Sequence, residues 1–226
     1  MRSGRSTWAV LPVKDLAGAK QRLAGVLGAA ERRDLFAAML EDVLGALAAS
    51  GGLAGVLVVT RDPLAQDLAA RYGARVLLEE ENRGHTAAST LGARRLARDG
   101  IATMVQLPAD LPLLAPADVA ALVAGHGAGP AVTLAPSRDE RGTNAVVCSP
   151  PDALPLRFGD DSFAAHVERA RAMGIEPQIV RCPGLALDID TPADLAAFLA
   201  TPSHTRTRAY LATRPIAQRL PSAPPG

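Results

Sequence analysis

The first 125 residues alternate short apolar runs with longer stretches of helical period, and this alternation constrains the fold more than any other feature. The longest helical pattern, at 29–49, places Leu35, Met39, Val43 and Leu47 on one face. Because consecutive parallel strands need a crossover connection, the pattern predicts an α/β fold. We expect a three-layer arrangement around a mixed, mostly parallel sheet. The runs that we interpret as strands lie at 8–13, 55–60, 74–78 and 104–107, and the other two helical patterns at 62–72 and 87–99.

The second half of the chain has more closely spaced strand patterns, at 131–135, 144–148 and 175–181. We expect these strands to add mixed or antiparallel pairing to the sheet. Helices are predicted at 116–124 and 192–200, the latter with an N-cap threonine and a proline at its first position, and residues 158–163 lead into another helix that runs through 173.

The chain is expected to form one domain over residues 1–202, followed by a tail at 203–226. Residues 201–226 contain five prolines and four arginines but no acidic residue. This composition predicts a flexible tail, with a short helix near 208–212 left open. Deletion of such a tail is expected to leave turnover intact.

Charge and hydropathy exclude several classes of partner. The formal net charge of +1 gives no reason to expect nucleic acid or an anionic membrane surface as a partner. No apolar run approaches the roughly 20 residues of a membrane span. Cys148 and Cys182 both lie in apolar surroundings, and we interpret them as reduced, buried thiols of a cytoplasmic protein.

The loop after the first strand holds both lysines of a chain that otherwise uses 22 arginines. Lys14, Lys20 and Arg22 could neutralise a polyphosphate, and Gly18 would let backbone amides approach it closely. The alternative is a solvated basic loop. The chain has neither a Walker A sequence nor a GxGxxG sequence, so a P-loop NTPase or a Rossmann dehydrogenase is not expected.

Three aspartates follow predicted strand ends. Asp110 lies in a loop between prolines just after the run at 104–107, and Asp188 and Asp190 lie before the last predicted helix. Ligands bind at the carboxyl edge of open α/β sheets, and carboxylates gathered there repel one another unless a cation lies among them. Oxygen ligands of this kind suit Mg²⁺ together with substrate phosphates. The alternatives are turn and helix-cap roles for each aspartate.

A further group of polar residues predicts a smaller anion site. The segments at 141–144 (RGTN) and 157–162 (RFGDDS) offer Thr143, Gly159 and Ser162 before a helix, which suits a second, phosphorylated substrate. Ser162 is equally a candidate N-cap of that helix. His85 and Thr86 begin another helix after a polar loop, where a base or ribose could lie. We find no histidine–cysteine spacing typical of zinc and no GxSxG sequence.

Five segments occur in the order and spacing of a known family: PVKDLAGAKQRLA, LPADLPLL, RGTNAVV, RFGDDSFAAH and ALDIDTPADL. Over about residues 8–200, the chain thereby resembles the guanylyltransferases of coenzyme F420 biosynthesis. The resemblance implies the nucleotidyltransferase version of the glycosyltransferase A fold. It also implies transfer of GMP from GTP to a small phosphorylated acid with release of pyrophosphate. The acid is phosphoenolpyruvate, 2-phospho-L-lactate or 3-phospho-D-glycerate, and the sequence does not choose among them.

The resemblance also implies roles for individual residues. Asp110, Asp188 and Asp190 would hold Mg²⁺ and, with Lys20, form the catalytic group. The GTP site would be formed by Lys14, Lys20, Arg22, His85 and Thr86. The acid site would be formed by Thr143, Gly159 and Ser162.

Two departures from the family pattern are visible in the sequence. Ala109 stands where many members have glycine, and the loop at 82–86 differs from the asparagine-centred version of other members. Homodimerisation is left open.

Two other functions remain as alternatives. Another nucleotidyltransferase of the same fold, of the molybdopterin or sugar-phosphate type, would typically carry a glycine-rich LxGGxGxR loop, which the lysine loop replaces here. A non-catalytic nucleotide-binding protein would have no need of three aspartates placed for a metal.

Overall fold

The computed structural model describes residues 6–220 of the chain. Within them, the strands are β1 Thr7–Pro12, β2 Gly55–Thr60, β3 Arg75–Leu78, β4 Thr103–Gln106, β5 Ala131–Pro136, β6 Thr143–Ser149 and β7 Gln178–Ile179. The α-helices are α1 Ala29–Ala49, α2 Pro63–Arg71, α3 His85–Arg98, α4 Pro116–Ala124, α5 Ser162–Ala172, α6 Pro183–Ala186, α7 Pro192–Ala200 and α8 Arg206–Ala212. Two turns of 3₁₀ helix, Leu16–Gly18 and Gln21–Leu23, follow β1.

The seven strands form one sheet in the order β3-β2-β1-β4-β6-β5-β7. Strand β1 pairs in parallel with both β2 and β4, and β2 pairs in parallel with β3. Strand β6 is antiparallel to both of its neighbours, β4 and β5, and β5 is parallel to β7. The predicted mixed, mostly parallel sheet is therefore confirmed. Because β1 and β4 are adjacent and parallel, the loops that carry Lys20 and Asp110 leave the sheet at the same edge.

Two apolar cores cover the two faces of the sheet. Leu11 of β1 packs in the core on the side of α1, whereas its neighbour Val10 packs on the side of α3, as the two-residue period of a strand requires. Helix α3 lies very close to β1 at Gly92, where a Cβ atom would come within 2.5 Å of a methyl carbon of Val10. Glycine at this position therefore sets the depth at which α3, and with it His85, lies against the sheet.

The strand predicted at 175–181 is much shorter than expected. Only Gln178 and Ile179 pair with β5, because Pro177 lacks the N–H that a ladder needs and the chain turns into α6 at Pro183. Sequence reasoning missed α6, whose four residues are too few to show a period. The final predicted helix is confirmed with its cap, since the Thr191 hydroxyl accepts a hydrogen bond from the N–H of Asp194.

The prediction of a flexible tail from residue 203 is wrong for the part of it that the structure describes. Helix α8 packs against α1, and the buried side chains of Thr207, Leu211 and Ile216 face the core. The Asp42 carboxylate on α1 accepts hydrogen bonds from the N–H of Arg206 at 2.8 Å and from the N–H and hydroxyl of Thr207 at 2.9 and 2.7 Å. The helix left open near residue 208 is therefore present, and residues 221–226 lie outside the described part of the chain. The sequence conceals this arrangement because α8 is short and its capping partner is far away in the chain.

Two further expectations concern the thiols and the membrane. Both cysteines are free; Cys148 is buried, but Cys182 is only half-buried. Of the helices within residues 6–220, none combines the length and the apolar character needed to cross a membrane.

Candidate active site

A cleft of about 970 Å³ opens at the sheet edge where β1 and β4 end. Ten of the eleven predicted site residues line it: Lys14, Lys20, Arg22, His85, Asp110, Thr143, Gly159, Ser162, Asp188 and Asp190. The exception is Thr86. The cleft thus joins the three groups of residues that the sequence singled out separately.

Lys20 belongs to the basic side of the cleft, which we define as the part lined by Lys14, Lys20 and Arg22. Its ammonium nitrogen is 2.5 Å from Asp110 Oδ2 and 2.7 Å from Asp190 Oδ1, and its side chain is only 5% exposed. Burial alone would lower the pKa of Lys20, but the two carboxylates outweigh burial and raise it above its usual value. Lys20 is therefore a charged, fixed cation. Its backbone is left-handed, with φ of 54°, which turns the chain between the two short 3₁₀ helices.

The other two basic residues of the loop are exposed. The Arg22 guanidinium lies 3.9 Å from Asp190 and is 71% exposed, and Lys14 is also exposed at the cleft wall. Burial would raise the pKa of Asp190, but the Lys20 ammonium and the Arg22 guanidinium hold it below its usual value. Asp190 is thus ionised at neutral pH, and an anion from solvent can reach the exposed side chains of Lys14 and Arg22.

Asp188 is held by a residue whose role the sequence analysis missed. Asn144 Nδ2 donates hydrogen bonds to Asp188 Oδ1 at 3.1 Å and to the Leu185 carbonyl at 2.8 Å. Burial, followed by the charge of Asp110, raises the pKa of Asp188 to about 6. The only signal in the sequence was the position of Asn144 next to Thr143. The ionised form of Asp188 is therefore destabilised in the folded protein, and binding of a cation or a proton would stabilise this side chain.

We expect the Asp188→Asn variant to be more stable than the native chain at pH 7.5. An acid whose folded-state pKa is raised lowers stability as pH rises between its unfolded and folded values, here from about pH 4 to pH 6. Asparagine does not ionise, so the variant avoids this loss of stability. Its free energy of unfolding should exceed that of the native chain by about 1–3 kcal/mol at pH 7.5 and differ little from it at pH 4. Urea denaturation at the two pH values measures both quantities.

The matched control for this comparison is Asp152→Asn, at an exposed position in the loop after β6. A variant at Asp188 that is no more stable than the native chain at pH 7.5 would contradict the assignment of a strained carboxylate.

The donor set of this side of the cleft fits a hard divalent cation. Asp110 Oδ1 is buried and has no hydrogen-bond partner within residues 6–220, and a buried carboxylate oxygen in that state is unfavourable unless something binds it. In the same part of the chain, no group of three or more acidic, histidine or cysteine side chains is already arranged around a metal position, and the Lys20 ammonium contacts both Asp110 and Asp190. This arrangement suits Mg²⁺, which takes one or two carboxylates and completes its shell with substrate phosphates.

Thr143, Gly159 and Ser162, the predicted anion-binding residues, also line this cleft. Thr143 begins β6 and Ser162 begins α5; both are buried, and the Thr143 N–H donates a hydrogen bond to Ser162 Oγ at 3.0 Å. Ser162 is the first residue of the helix and not its cap, because Asp161 occupies the N-cap position. Gly159 has φ of +123°, a conformation that favours glycine. All three residues of the predicted anion site therefore line the same cleft.

His85 and Thr86 separate in the structure. The half-buried His85 ring lies on the cleft wall, with Nε2 3.1 Å from Gln106 Nε2 and its ring edge-on to Phe158 at 4.6 Å. Burial lowers the pKa of His85 to about 4, so this histidine is neutral at physiological pH. The Thr86 hydroxyl instead accepts a hydrogen bond from the Phe158 N–H at 2.9 Å. Thr86 thus fixes the loop that carries Gly159 and does not face the cleft.

Comparison with known proteins places these features in a sequence family. The family described as "Guanylyl transferase CofC like" matches residues 7–220. The phosphoenolpyruvate guanylyltransferase of Rubrobacter xylanophilus is 43% identical over 87% of this chain and 95% of its own length. The 2-phospho-L-lactate guanylyltransferase of Methanothermobacter thermautotrophicus is 35% identical over 91% and 89%. The 3-phospho-D-glycerate guanylyltransferase of Colwellia psychrerythraea is 35% identical over 85% and 92%.

The fold has solved counterparts at low sequence identity. A crystal structure from Desulfovibrio desulfuricans G20, described as a nucleotide-diphospho-sugar transferase, superposes with a TM-score of 0.78. The superposition covers 94% of this chain and 97% of the other at 18% identity. The predicted nucleotidyltransferase-like fold is therefore confirmed.

Proposed function

Since the chain belongs to the CofC-like guanylyl transferase family, we propose that it transfers GMP from GTP to phosphoenolpyruvate and releases pyrophosphate, as a step of coenzyme F420 biosynthesis. One observation carries this proposal: the same cleft is lined by Lys20 with its two aspartates and by Thr143, Gly159 and Ser162. Phosphoenolpyruvate is favoured over the other two acids because the relative named for it is 43% identical, against 35% for the relatives named for 2-phospho-L-lactate and 3-phospho-D-glycerate.

GTP would lie on the basic side of the cleft. Lys14 and Arg22 are exposed there and would attract the phosphates, while the buried Lys20 ammonium faces the reacting region. Fixed positive charge at this point stabilises the charge that develops on the leaving pyrophosphate. The neutral His85 ring lies on the same wall and would contact the nucleoside without adding a charge.

The acid would bind between Thr143, Gly159 and Ser162. Its phosphate would then point across the cleft toward Lys20. In the reaction, an oxygen of the acid's phosphate forms a bond to the α-phosphorus of GTP. The bond from that phosphorus to the α,β-bridging oxygen breaks, and pyrophosphate departs with the electron pair. A phosphate is already ionised at neutral pH, so the chain needs no general base, which agrees with the neutral state of His85.

Asp110, Asp188 and Asp190 would hold Mg²⁺. The buried, unpartnered Oδ1 of Asp110 supports this assignment. When bound, the ion supplies charge neutralisation at the phosphates. Asn144 would contribute by holding Asp188 in place through the hydrogen bond to its carboxylate.

An isotope experiment tests the proposed direction of transfer. Phosphoenolpyruvate labelled with ¹⁸O on its phosphate is incubated with GTP, Mg²⁺ and the native chain, and the products are identified by mass spectrometry and phosphorus NMR. We expect a guanylylated product that keeps all of the label, including the bridging oxygen, together with unlabelled pyrophosphate. Formation of GDP, or of labelled pyrophosphate, would contradict attack of the acid's phosphate on the α-phosphorus.

A further inference from the structure

Each of the two hydroxyls of the acid site already has one hydrogen-bond contact with the protein. Ser162 Oγ accepts the backbone N–H of Thr143 at 3.0 Å. Thr143 Oγ1 lies 2.9 Å from Nδ1 of His166, a fully buried histidine on α5. The direction of this second hydrogen bond decides what Thr143 can offer to a ligand.

The other ring nitrogen of His166 fixes that direction. His166 Nε2 lies 3.0 Å from the backbone N–H of Arg157. A backbone N–H can only donate, so Nε2 must be the unprotonated acceptor. In a neutral imidazole the proton then resides on Nδ1, which donates to Thr143 Oγ1. Burial lowers the pKa of His166 to about 4, which agrees with the neutral ring.

We propose that His166 is a positioning residue that turns the hydroxyl proton of Thr143 into the cleft, so that Thr143 and Ser162 both act as hydrogen-bond donors to an anionic acceptor substrate. Thr143 Oγ1 accepts from His166 and Ser162 Oγ accepts from Thr143, so each hydroxyl proton is left for a ligand. This inference rests on the proposed function, because it assumes that the acid binds at these hydroxyls.

The arrangement gives the subsite a preference by charge. Two hydroxyls that keep their protons for a ligand favour an ionised carboxylate or phosphate, because hydrogen bonds to charged acceptors are the stronger kind. A ligand group that can only donate would leave both hydroxyl protons without an acceptor. His166 also ties Arg157, and hence the loop that carries Gly159, to the same network. A second contact, from the Phe158 N–H to the Thr86 hydroxyl, holds the same loop independently of His166.

The tautomer of His166 can be measured directly in the native chain. A long-range ¹H–¹⁵N correlation spectrum at pH 7 distinguishes protonation at Nδ1 from protonation at Nε2, and loss of the signal in His166→Asn assigns it. We expect the Nδ1–H form. An Nε2–H form, or a charged ring, would overturn the proposal whatever the activity of the chain.

Two variants separate the two hydrogen bonds of the ring. The amide nitrogen of His166→Asn can take the place of Nδ1 and still donate to Thr143. The longer side chain of His166→Gln can place its carbonyl near the position of Nε2 and keep the Arg157 contact, but it removes the Nδ1 donor.

Steady-state kinetics with phosphoenolpyruvate and GTP compares the variants. Loss of a donor aligned for a charged ligand should raise the KM for the acid about tenfold in His166→Gln. His166→Asn should change it by less than about threefold, and the KM for GTP should stay within about twofold in both variants. Thermal denaturation of each variant confirms that it is folded.

The outcomes separate this inference from the function on which it rests. If the native chain turns over phosphoenolpyruvate but both variants lose acid affinity equally, or neither does, the positioning role is wrong and the proposed function stands. If the native chain turns over no acid, the proposed function fails, and the tautomer measurement still decides on the orientation of the network.

Discussion

Replacing Asp110 with asparagine is expected to lower the rate of guanylyl transfer by about 10²-fold or more. The substitution removes a negative charge next to Lys20, and fixed charges at the reacting phosphates stabilise the transition state. Asp110 is one of the two carboxylates that hold the Lys20 ammonium, and its second oxygen, which is buried and has no hydrogen-bond partner within residues 6–220, is proposed to bind the cation. Asparagine keeps the shape of the side chain but offers a neutral amide to the Lys20 ammonium and to the cation. The loss should appear mainly in kcat, since the affected interactions strengthen as charge shifts toward pyrophosphate.

The measurement is the rate of product formation with saturating GTP, Mg²⁺ and acid. Asp152→Asn, at an exposed position in the loop after β6, is the matched control and should retain the native rate. Circular dichroism and thermal denaturation establish that both variants are folded. An Asp110→Asn enzyme with a native kcat would show that this carboxylate does not take part in the reaction.

The second large effect concerns the C-terminal helix. Deletion of residues 203–226 is expected to destabilise the protein severely, in contrast to the harmless loss that the sequence suggested. The deletion removes the buried side chains of Leu211 and Ile216, each contributing about 1.5–3 kcal/mol, and leaves the Asp42 carboxylate without three donors. Against a total stability of about 5–15 kcal/mol for a typical domain, the truncated chain should melt at least about 10 °C lower.

A pair of point variants tests the same idea without removing any chain. Leu211 is 3% exposed, and Leu211→Ala should lower the free energy of unfolding by about 2–4 kcal/mol. Leu78 on the edge strand β3 is 63% exposed, and Leu78→Ala should change stability by less than about 0.5 kcal/mol. Equal effects in urea denaturation would mean that α8 does not belong to the core in solution.

The pattern of strands and helices could be predicted because it depends on residues that are close together in the sequence. The bounds of α1, β2, α4 and α7 follow from apolar periodicity and from capping residues a few positions apart in the chain. The same local logic located the cleft, since residues that directly follow parallel strands must meet at one edge of the sheet. Lys20 and Asp110 are 90 residues apart, yet each was identifiable by its position after a strand.

The contacts that escaped prediction join distant parts of the chain without any local signal. Asp42 caps a helix that begins 164 residues later, and Asn144 holds Asp188 across 44 residues. Likewise, nothing in the sequence around His166 shows that its ring contacts Thr143 and Arg157. Thr86 was predicted beside His85 for a related reason, because its hydrogen bond with the Phe158 N–H, 72 residues later, has no local signal.

The most direct test of guanylyl transfer is pyrophosphate release by the purified chain with Mg²⁺ and GTP. Phosphoenolpyruvate, 2-phospho-L-lactate and 3-phospho-D-glycerate are offered separately, and ATP, CTP and UTP replace GTP as controls. We predict release with GTP and phosphoenolpyruvate, little release with the other nucleotides, and none from the Asp188→Ala variant. Failure to release pyrophosphate with any of the three acids, by a chain that still binds GTP, would contradict the proposed reaction.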